Sequence, residues 1–360
     1  MLQLDRISFT QFKNYHQESF EFQAPVIAIS GKNGAGKTNL LDGICYLSLT
    51  RSYFGGSDSA QIKSGFNGFR IDGRFKVEQN PHNTHIILRE TGRKEVGCDS
   101  LLYEKFSEHI GKFPVVMIAP DDIELINGSP ETRRKFIDTI LCQTDPEYLQ
   151  HLIVYNKILQ QRNSYLKQSA ITKRKDDILI DTFDNQLSDS GTVIYTKRKA
   201  FIPDFRSSIL SFYDAVAGTK ESPDFKYESQ LHETNLKELL RSSREKDYII
   251  QRTSCGIHKD NPEILLSGET FKLRGSQGQK KSMLFALKLA EASCIETRKG
   301  FSPILLLDDV FEKLDAHRMQ NLLSHICHNM KAQIFLTDTH PERISDIFKG
   351  LGKEIQNIYL

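Results

Sequence analysis

Residues Gly31-Lys32-Asn33-Gly34-Ala35-Gly36-Lys37-Thr38 fit the pattern G-x-x-x-x-G-K-[ST], and each fixed position has a chemical reason. Glycines let backbone N–H groups turn inward around phosphate oxygens, and the following helix adds the positive end of its dipole. Lys37 then reaches the β- and γ-phosphates, while the Thr38 hydroxyl is a ligand for Mg2+. With Asn39 next in the chain, residues 31–39 are the expected cradle for ATP and its Mg2+. The bland alternative is a glycine turn that meets a helix by accident. Four matched positions directly after a continuous apolar run, Val26 to Ile29, weigh against it.

Two further segments can act on the same phosphates. Ile304-Leu-Leu-Leu-Asp308-Asp309 reads as a buried strand that delivers two carboxylates at its C-terminal end, where open α/β sheets bind ligands. Asp308 is expected to hold Mg2+, directly or through water. Asp309 is then placed to orient or deprotonate the attacking water. An isolated acidic pair is more often a helix cap or a solvated loop; coupled to the glycine loop, the catalytic reading is the stronger. Ser276-Gln277-Gly278-Gln279 opens an apolar helix and satisfies the capping-box pattern. Flanked by Gly275 and Gly278, that helix start is also a second anion site. The chain's own glycine loop already holds a phosphate, so a spare site implies a nucleotide supplied by a partner.

The elements that must position these residues follow from the apolar periodicity. Residues 1 to about 110 alternate as antiparallel strands do, at Phe20 and Phe22, then Phe69, Ile71, Phe75 and Val77. Val26 to Ile29 and Ile304 to Leu307 are continuous apolar runs, as in strands buried on both faces. Leu40, Leu41, Ile44, Leu47 and Ser48 give the helix after the glycine loop an inner face. From about 120 to 250 the period changes to that of helices, at Leu149, Leu152, Ile153, Ile158 and Leu159, then Phe183, Leu187, Ile194 and Phe201. Lys167 to Asp177 reads as the tip of a helical hairpin, and Pro203 is expected to break or bend its second helix. The domains expected are a head built from 1–118 and 252–360 and an inserted helical lobe at 119–251.

With 39% hydrophobic and 26% charged residues the chain has the composition of a folded globular protein. Its 48 basic and 46 acidic residues nearly cancel, so any nucleic-acid surface must be local, and Lys173-Arg-Lys175, Lys197-Arg-Lys199 and Arg133-Arg134 are the clusters that could form one. Cysteines at 45, 98, 142, 255, 294 and 327 include no C-x-x-C pair and no histidine at metal-ligand spacing, and read as reduced thiols. No secretory signal or membrane-length apolar run is present, and a cytoplasmic location is expected.

The glycine loop, Ser276-Gln-Gly-Gln279, the Leu-Leu-Leu-Asp308-Asp309 strand, Glu312-Lys-Leu-Asp315 and Thr339-His340 stand in the order of the Walker A, signature, Walker B, D-loop and switch-histidine elements of ABC ATPases. Phe12-Lys-Asn-Tyr15, Gly128-Ser-Pro130, Arg133-Arg134-Lys-Phe-Ile-Asp138, Gln161-Arg-Asn163 and Arg244-Glu-Lys-Asp247 make nearly the whole chain similar to the RecF family of bacterial recombination mediators. The resemblance implies an α/β fold, an ABC-type P-loop ATPase head with a mixed central sheet, an antiparallel β region and an inserted, mainly helical lobe. It implies ATP-dependent homodimers that bind duplex, gapped or single-stranded DNA, hydrolyse ATP slowly, and work with RecR and RecO to load RecA. Carried onto this chain, Ser276, Gln277, Gly278 and Gln279 contact the γ-phosphate of the other copy, Asp315 lies at the dimer seam, and His340 senses that phosphate. Asp309 stands where most ABC ATPases carry Glu. Its carboxylate is one methylene shorter, consistent with slow turnover. No glutamine is identified as a Q-loop residue. Two other classes stay open: a nucleotide-dependent scaffold that reaches DNA through a partner, and, less consistent with the inserted lobe, a transporter's ATPase subunit.

Overall fold

The computed structural model describes residues 1–360 apart from 218–220, 311–319, 322, 325, 327–329, 340–347 and 349. Two compact units result. The first begins with β1 (Leu2–Thr10), β2 (Gln17–Glu21), β3 (Val26–Ser30), α1 (Lys37–Leu49), β4 (Phe69–Val77), β5 (Asn80–Leu88), β6 (Lys94–Cys98), β7 (Leu101–Leu102) and β8 (Val115–Ile118). The second takes the chain through α2 (Glu124–Asn127), α3 (Pro130–Thr144), α4 (Pro146–Thr172) and most of α5 (Asp177–Ala217), then β9 (Pro223–Glu228), α6 (Leu236–Ser242), α7 (Arg244–Ile250), β10 (Asn261–Leu266), β11 (Glu269–Thr270) and α8 (Phe271–Arg274). The first unit resumes with α9 (Gln277–Lys299), β12 (Ile304–Leu307), β13 (Ile334–Asp338) and β14 (Ile355–Tyr359).

Residues 252–275, expected in the head, therefore fall in the second unit, and 119–123 and 211–217, expected in the lobe, in the first. The reason for the first difference is a strand pair: β10 runs antiparallel to β9, with Ile264 opposite Phe225, so the segment closes a small sheet of order β11-β10-β9.

The first unit holds two sheets. One is antiparallel, in the order β2-β1-β4-β5-β6-β7, as the alternating pattern indicates. The other is wholly parallel, in the order β14-β3-β13-β12-β8. The continuous apolar runs become its central strands, with every residue of β3, β12 and β13 buried. A single core joins Leu4, Phe9, Ile71 and Phe75 of the antiparallel sheet to Ile27, Met117 and Leu306 of the parallel one, with Leu41, Ile44 and Leu47 of α1 among them. Helix α1 is thus buried on all sides from Leu40 to Ser48, where the sequence indicated one inner face. Gly43 shows how tightly it is held: a Cβ there would lie 2.3 Å from the Phe9 ring.

In the second unit the long helices meet through charge as much as through apolar surface. The buried positions of α4 are Tyr148, Tyr155, Ile158, Arg162, Leu166 and Ser169, whereas Ile153 is exposed, so the expected stripe is rotated. Arg162 is fully buried and donates to Asp184 on α5 at 2.8 Å and to Asp247 on α7 at 2.7 Å. Arg244 donates to the second oxygen of Asp184 at 2.7 Å, and Ser254 donates to the second oxygen of Asp247. A second buried guanidinium, Arg198, binds Asp138, Asp260 and the carbonyl of Ile257. Pro203 lies inside α5, which continues through it as one helix. The missing N–H costs a backbone bond, but Phe201, Ile202, Phe205 and Ile209 are buried on both sides of it and hold the two turns in line.

Truncating a buried charge strands its partners, at a cost of about 3–5 kcal/mol. Arg162→Met is therefore expected to destabilise the second unit by roughly that amount, read as loss of helical circular dichroism at lower urea. A loss under about 1 kcal/mol would show that the triad contributes little.

Candidate nucleotide-binding site

Strand β3 ends at Ser30 and α1 begins at Lys37, with the six-residue glycine loop between them. Gly34 and Gly36 take φ values of 83° and 116°, in the left-handed half of the map, which is why glycine stands there. The Lys37 ammonium folds back over the loop and donates to the carbonyls of Gly31 at 2.9 Å and Lys32 at 3.2 Å. The Thr38 hydroxyl lies 3.0 Å from both carboxylate oxygens of Asp308, at the end of β12. Residues 270 positions apart thus meet because β12 and β3 both flank β13 and run parallel to it.

Thr337, on β13 between those strands, completes the cluster and was not singled out by the sequence. Its hydroxyl donates to Asp308 at 2.8 Å and accepts from the Asp309 amide at 2.9 Å. Asp309 itself sits at φ 46°, left-handed, which turns the chain sharply as it leaves the strand. Burial pushes the Asp308 carboxyl up, against the opposing effect of the Thr337 and Thr38 hydroxyls, which favour its charged form. Ile334, Phe335 and Leu336 are a continuous apolar run, but only the strand order makes the next residue a neighbour of Asp308 and Asp309.

The loop is braced from outside by Phe12-Lys-Asn-Tyr15. Asn14 donates to the Ala35 carbonyl at 3.1 Å, and the Tyr15 hydroxyl donates to the Gly36 carbonyl at 2.9 Å. A Cβ on Gly36 would come within 2.6 Å of the Asn14 amide and 2.9 Å of the Tyr15 oxygen. The Asn39 amide donates to Asn14 at 2.7 Å, so this member of the expected cradle acts on the brace. Lys32, Asn33 and Gly34 are exposed at the loop's outer edge, and Gly31 and Ala35 are half-buried.

Ser276 caps α9 in a complete capping box: its hydroxyl accepts from the Gln279 amide at 3.3 Å and its own amide donates to the Gln279 side chain at 2.7 Å. The bland reading of that motif is therefore realised. The amides of Gln277 and Gly278 still point out along the axis of a helix 23 residues long, as first-turn amides must. Asp315 and His340 lie outside the described residues.

The basic clusters are taken up by the fold only in part, since Lys173, Arg174, Lys175 and Lys199 stay exposed. Arg133 is buried and donates to the Pro262 carbonyl at 2.5 Å; Arg134 donates to the Asp260 carbonyl at 2.7 Å. Lys197 pairs with Asp145 and Glu147, and Lys175 with Glu245.

A buried ionic cluster also went unread. Lys288, midway along α9, donates to the Tyr53 hydroxyl at 3.0 Å and lies 3.3 Å from Glu291 and 3.6 Å from Asp122. Tyr53 donates to Asp122 at 2.5 Å, and its own amide donates to Asp42 on α1 at 2.7 Å. Asp42 also receives Lys13, at 2.5 Å, from the bracing segment. The helix that begins at Ser276 and the helix that begins at Lys37 are thus tied to one loop.

The donor set fits a triphosphate with a hard divalent cation. Hydroxyl and carboxylate oxygens from Thr38 and Asp308 already converge, and such oxygens suit Mg2+. Gly36, whose side-chain space is taken by Asn14 and Tyr15, shapes the phosphate loop beside them.

A family model described as an AAA domain matches residues 6–260. The chain is 38% identical over 351 residues to the DNA replication and repair protein RecF of Flavobacterium johnsoniae, covering 97% of each chain. It is 39% identical to RecF of Parabacteroides distasonis, over 98% of this chain and 95% of that one. Among solved structures it is similar to the recombination mediator protein RecF with ATP in the RecFOR pathway, with a TM-score of 0.87 and 30% identity over 94% and 92% of the two chains. An Smc head domain from Pyrococcus furiosus, 15% identical with a TM-score of 0.54 over 99% of this chain and 93% of that one, shares the fold.

Burial raises the Glu291 carboxyl to about 7, so it binds a proton more tightly in the folded chain than in the unfolded one. The stability it contributes is full below the ordinary glutamate range and is lost as pH rises through about 7. Glu291→Gln is expected to match the wild type near pH 4 and to exceed it at pH 8, by urea unfolding. A difference independent of pH would exclude this account of the cluster.

Proposed function

The chain belongs to the RecF family of DNA replication and repair proteins, and from that membership we propose that it is an ATP-switched DNA-binding protein that pairs with a second copy of itself. The observation that carries the reading is the convergence of Thr38 and Asp308 beside Lys37, in a loop whose conformation glycine alone accommodates.

In this reading the amides of residues 31–39 and the Lys37 ammonium bind the phosphates of ATP. Thr38 and Asp308 hold Mg2+, which when bound supplies charge neutralisation to the phosphates. Thr337 keeps the Asp308 carboxylate charged and aimed, and anchors the Asp309 amide so that its carboxylate orients water. Asp309 reaches less far than a glutamate, which suits a weak ATPase whose hydrolysis resets a switch.

Ser276-Gln277-Gly278-Gln279 of one copy completes the phosphate site of its partner, with Asp315 at the seam and His340 sensing the γ-phosphate. The nucleotide then binds the paired state more tightly than the single one, and that difference in affinity is what drives pairing. The paired protein binds DNA at gapped or duplex–single-strand regions and helps RecR and RecO load RecA. Two features support a DNA role: the relatives' names, and the ATP-bound RecF placed in the RecFOR pathway. No helix among the described residues is long and apolar enough to cross a membrane.

Light scattering with and without ATP and gapped DNA tests this reading. Lys37→Arg and Asp308→Asn should abolish ATP-driven pairing, whereas Asp309→Asn should accumulate the dimer. Ser276→Arg should bind ATP as a single copy yet fail to pair; loss of ATP binding in that variant would refute the contribution in trans. A chain that stays single with ATP and DNA present would sink the switch itself.

Acidification provides a second test. The charged Asp308 is the form that binds a cation, so Mg2+-dependent ATP affinity should begin to fall at a pH above the ordinary aspartate range. Thr337→Val removes a hydrogen bond to the charged form and should move that onset to still higher pH. An unchanged onset, measured by titration of a fluorescent ATP analogue, would show that Thr337 does not tune the carboxylate.

A further inference from the structure

The β5–β6 ladder of the first unit ends in a cluster that the phosphate site does not use. Thr84 stands opposite Cys98 in the register. One step further, the Asp99 amide donates to the Asn83 carbonyl at 2.8 Å, and the Asn83 amide donates to the Asp99 carboxylate at 2.9 Å. Pairing therefore brings His82, sixteen positions before Cys98, beside both Cys98 and Asp99. His82 Nδ1 lies 2.7 Å from Asp99 Oδ2. One nitrogen of His82, the Cys98 sulfur and one oxygen of Asp99 all lie within 4.8 Å of one another, the one such trio identified among the described residues.

We propose that His82, Cys98 and Asp99 form a binding site for Zn2+, with three protein ligands and a position left for water. A thiolate, an imidazole and a carboxylate make a borderline-soft donor set that suits Zn2+ and discriminates against Mg2+ and Ca2+, which take oxygen ligands. With metal–ligand bonds of about 2.0–2.3 Å, neighbouring ligand atoms in a tetrahedral zinc site lie roughly 3–4 Å apart. The trio needs only a small spread at the His82–Asp99 contact, where the ion displaces a shared proton, and a small closure at the sulfur.

The surroundings are arranged for such an ion. The Tyr103 hydroxyl hydrogen-bonds the Cys98 sulfur and favours its thiolate, and the Lys112 ammonium donates to Tyr103 at 2.8 Å. Burial, and after it the Asp99 carboxylate, act the other way and hold the thiol protonated in the absence of a cation, so binding releases that proton. Cys98 is buried, while the side chains of His82 and Asp99 are 34% and 45% exposed, which opens the site to solvent on one side. The Phe113 ring lies 5.9 Å from the imidazole. A bound ion would pin the ends of β5 and β6 together.

Spacing alone hid the cluster, because its ligands come from two strands rather than from one short motif.

Cobalt is the probe, because a thiolate bound to Co2+ gives an intense near-ultraviolet charge-transfer band. The full-length, metal-stripped protein should show that band on titration with Co2+, and Zn2+ should bleach it. Cys98→Ser should abolish the band, and His82→Ala or Asp99→Asn should weaken Co2+ affinity by about tenfold or more. Zn2+ should raise the melting midpoint of the wild type but not of His82→Ala, a surface change that leaves the core intact. No band in the wild type, or a band that survives Cys98→Ser, overturns the site. A band lost with Cys98 but at full affinity in both other variants overturns the three-ligand assignment.

Discussion

Burial of helix α1 between two sheets is the constraint on which the rest of the first unit depends. A helix that starts at a phosphate loop has to keep its first turn fixed while charged ligands come and go. Here both of its flanks are occupied, by Ile71 and Phe75 from the antiparallel sheet and by Ile29, Met117 and Leu306 from the parallel one. Such close packing leaves no room for a methyl group at Gly43 and little for rotation. The loop ahead of it is then held at its outer side by Asn14 and Tyr15. The antiparallel sheet thus does more than extend the core: its first strand leads straight into the brace on the phosphate loop.

Much of this was legible. Continuous apolar runs at Val26–Ile29 and Ile304–Leu307 identified the two strands that carry the loop and the carboxylates, and the alternation at Phe69, Ile71 and Phe75 identified the antiparallel sheet. A continuous run means burial on both faces, a property of the strand itself, and so it survives ignorance of the topology. Thr337 was not legible for the opposite reason. A threonine after an apolar strand carries no chemical signal until the order β3-β13-β12 places it between Thr38 and Asp308. The brace was half legible: the Phe12-Lys-Asn-Tyr15 segment resembled the family's, but nothing local indicates that Asn14 and Tyr15 reach residues 35 and 36.

Charge was the property least readable along the chain. Arg133, Arg162 and Arg198 look from the sequence like surface cations, since guanidinium groups are rarely buried whole. All three are buried, because each finds carboxylates or carbonyls on other elements in a geometry that offsets lost hydration. The motifs Arg133-Arg134, Gln161-Arg-Asn163 and Arg244-Glu-Lys-Asp247, which carry much of the family resemblance, are therefore parts of the internal frame of the second unit. Any DNA surface has to be built from other side chains.

The buried Lys288 cluster bears on how a phosphate-dependent change could spread within the first unit. Lys288 is on α9, Asp42 on α1, and Tyr53 touches both. Tyr53 links the two through buried hydrogen bonds, its hydroxyl to Lys288 and its amide to Asp42, so displacing α9 relative to α1 would break bonds that no water replaces. Such a cluster resists small independent motions and favours movement of the two helices together. Since α1 follows the glycine loop and α9 follows Ser276, that stiffness keeps the starts of the two helices in a fixed relation. The ordering entropy of holding those two starts in register has therefore already been met on folding.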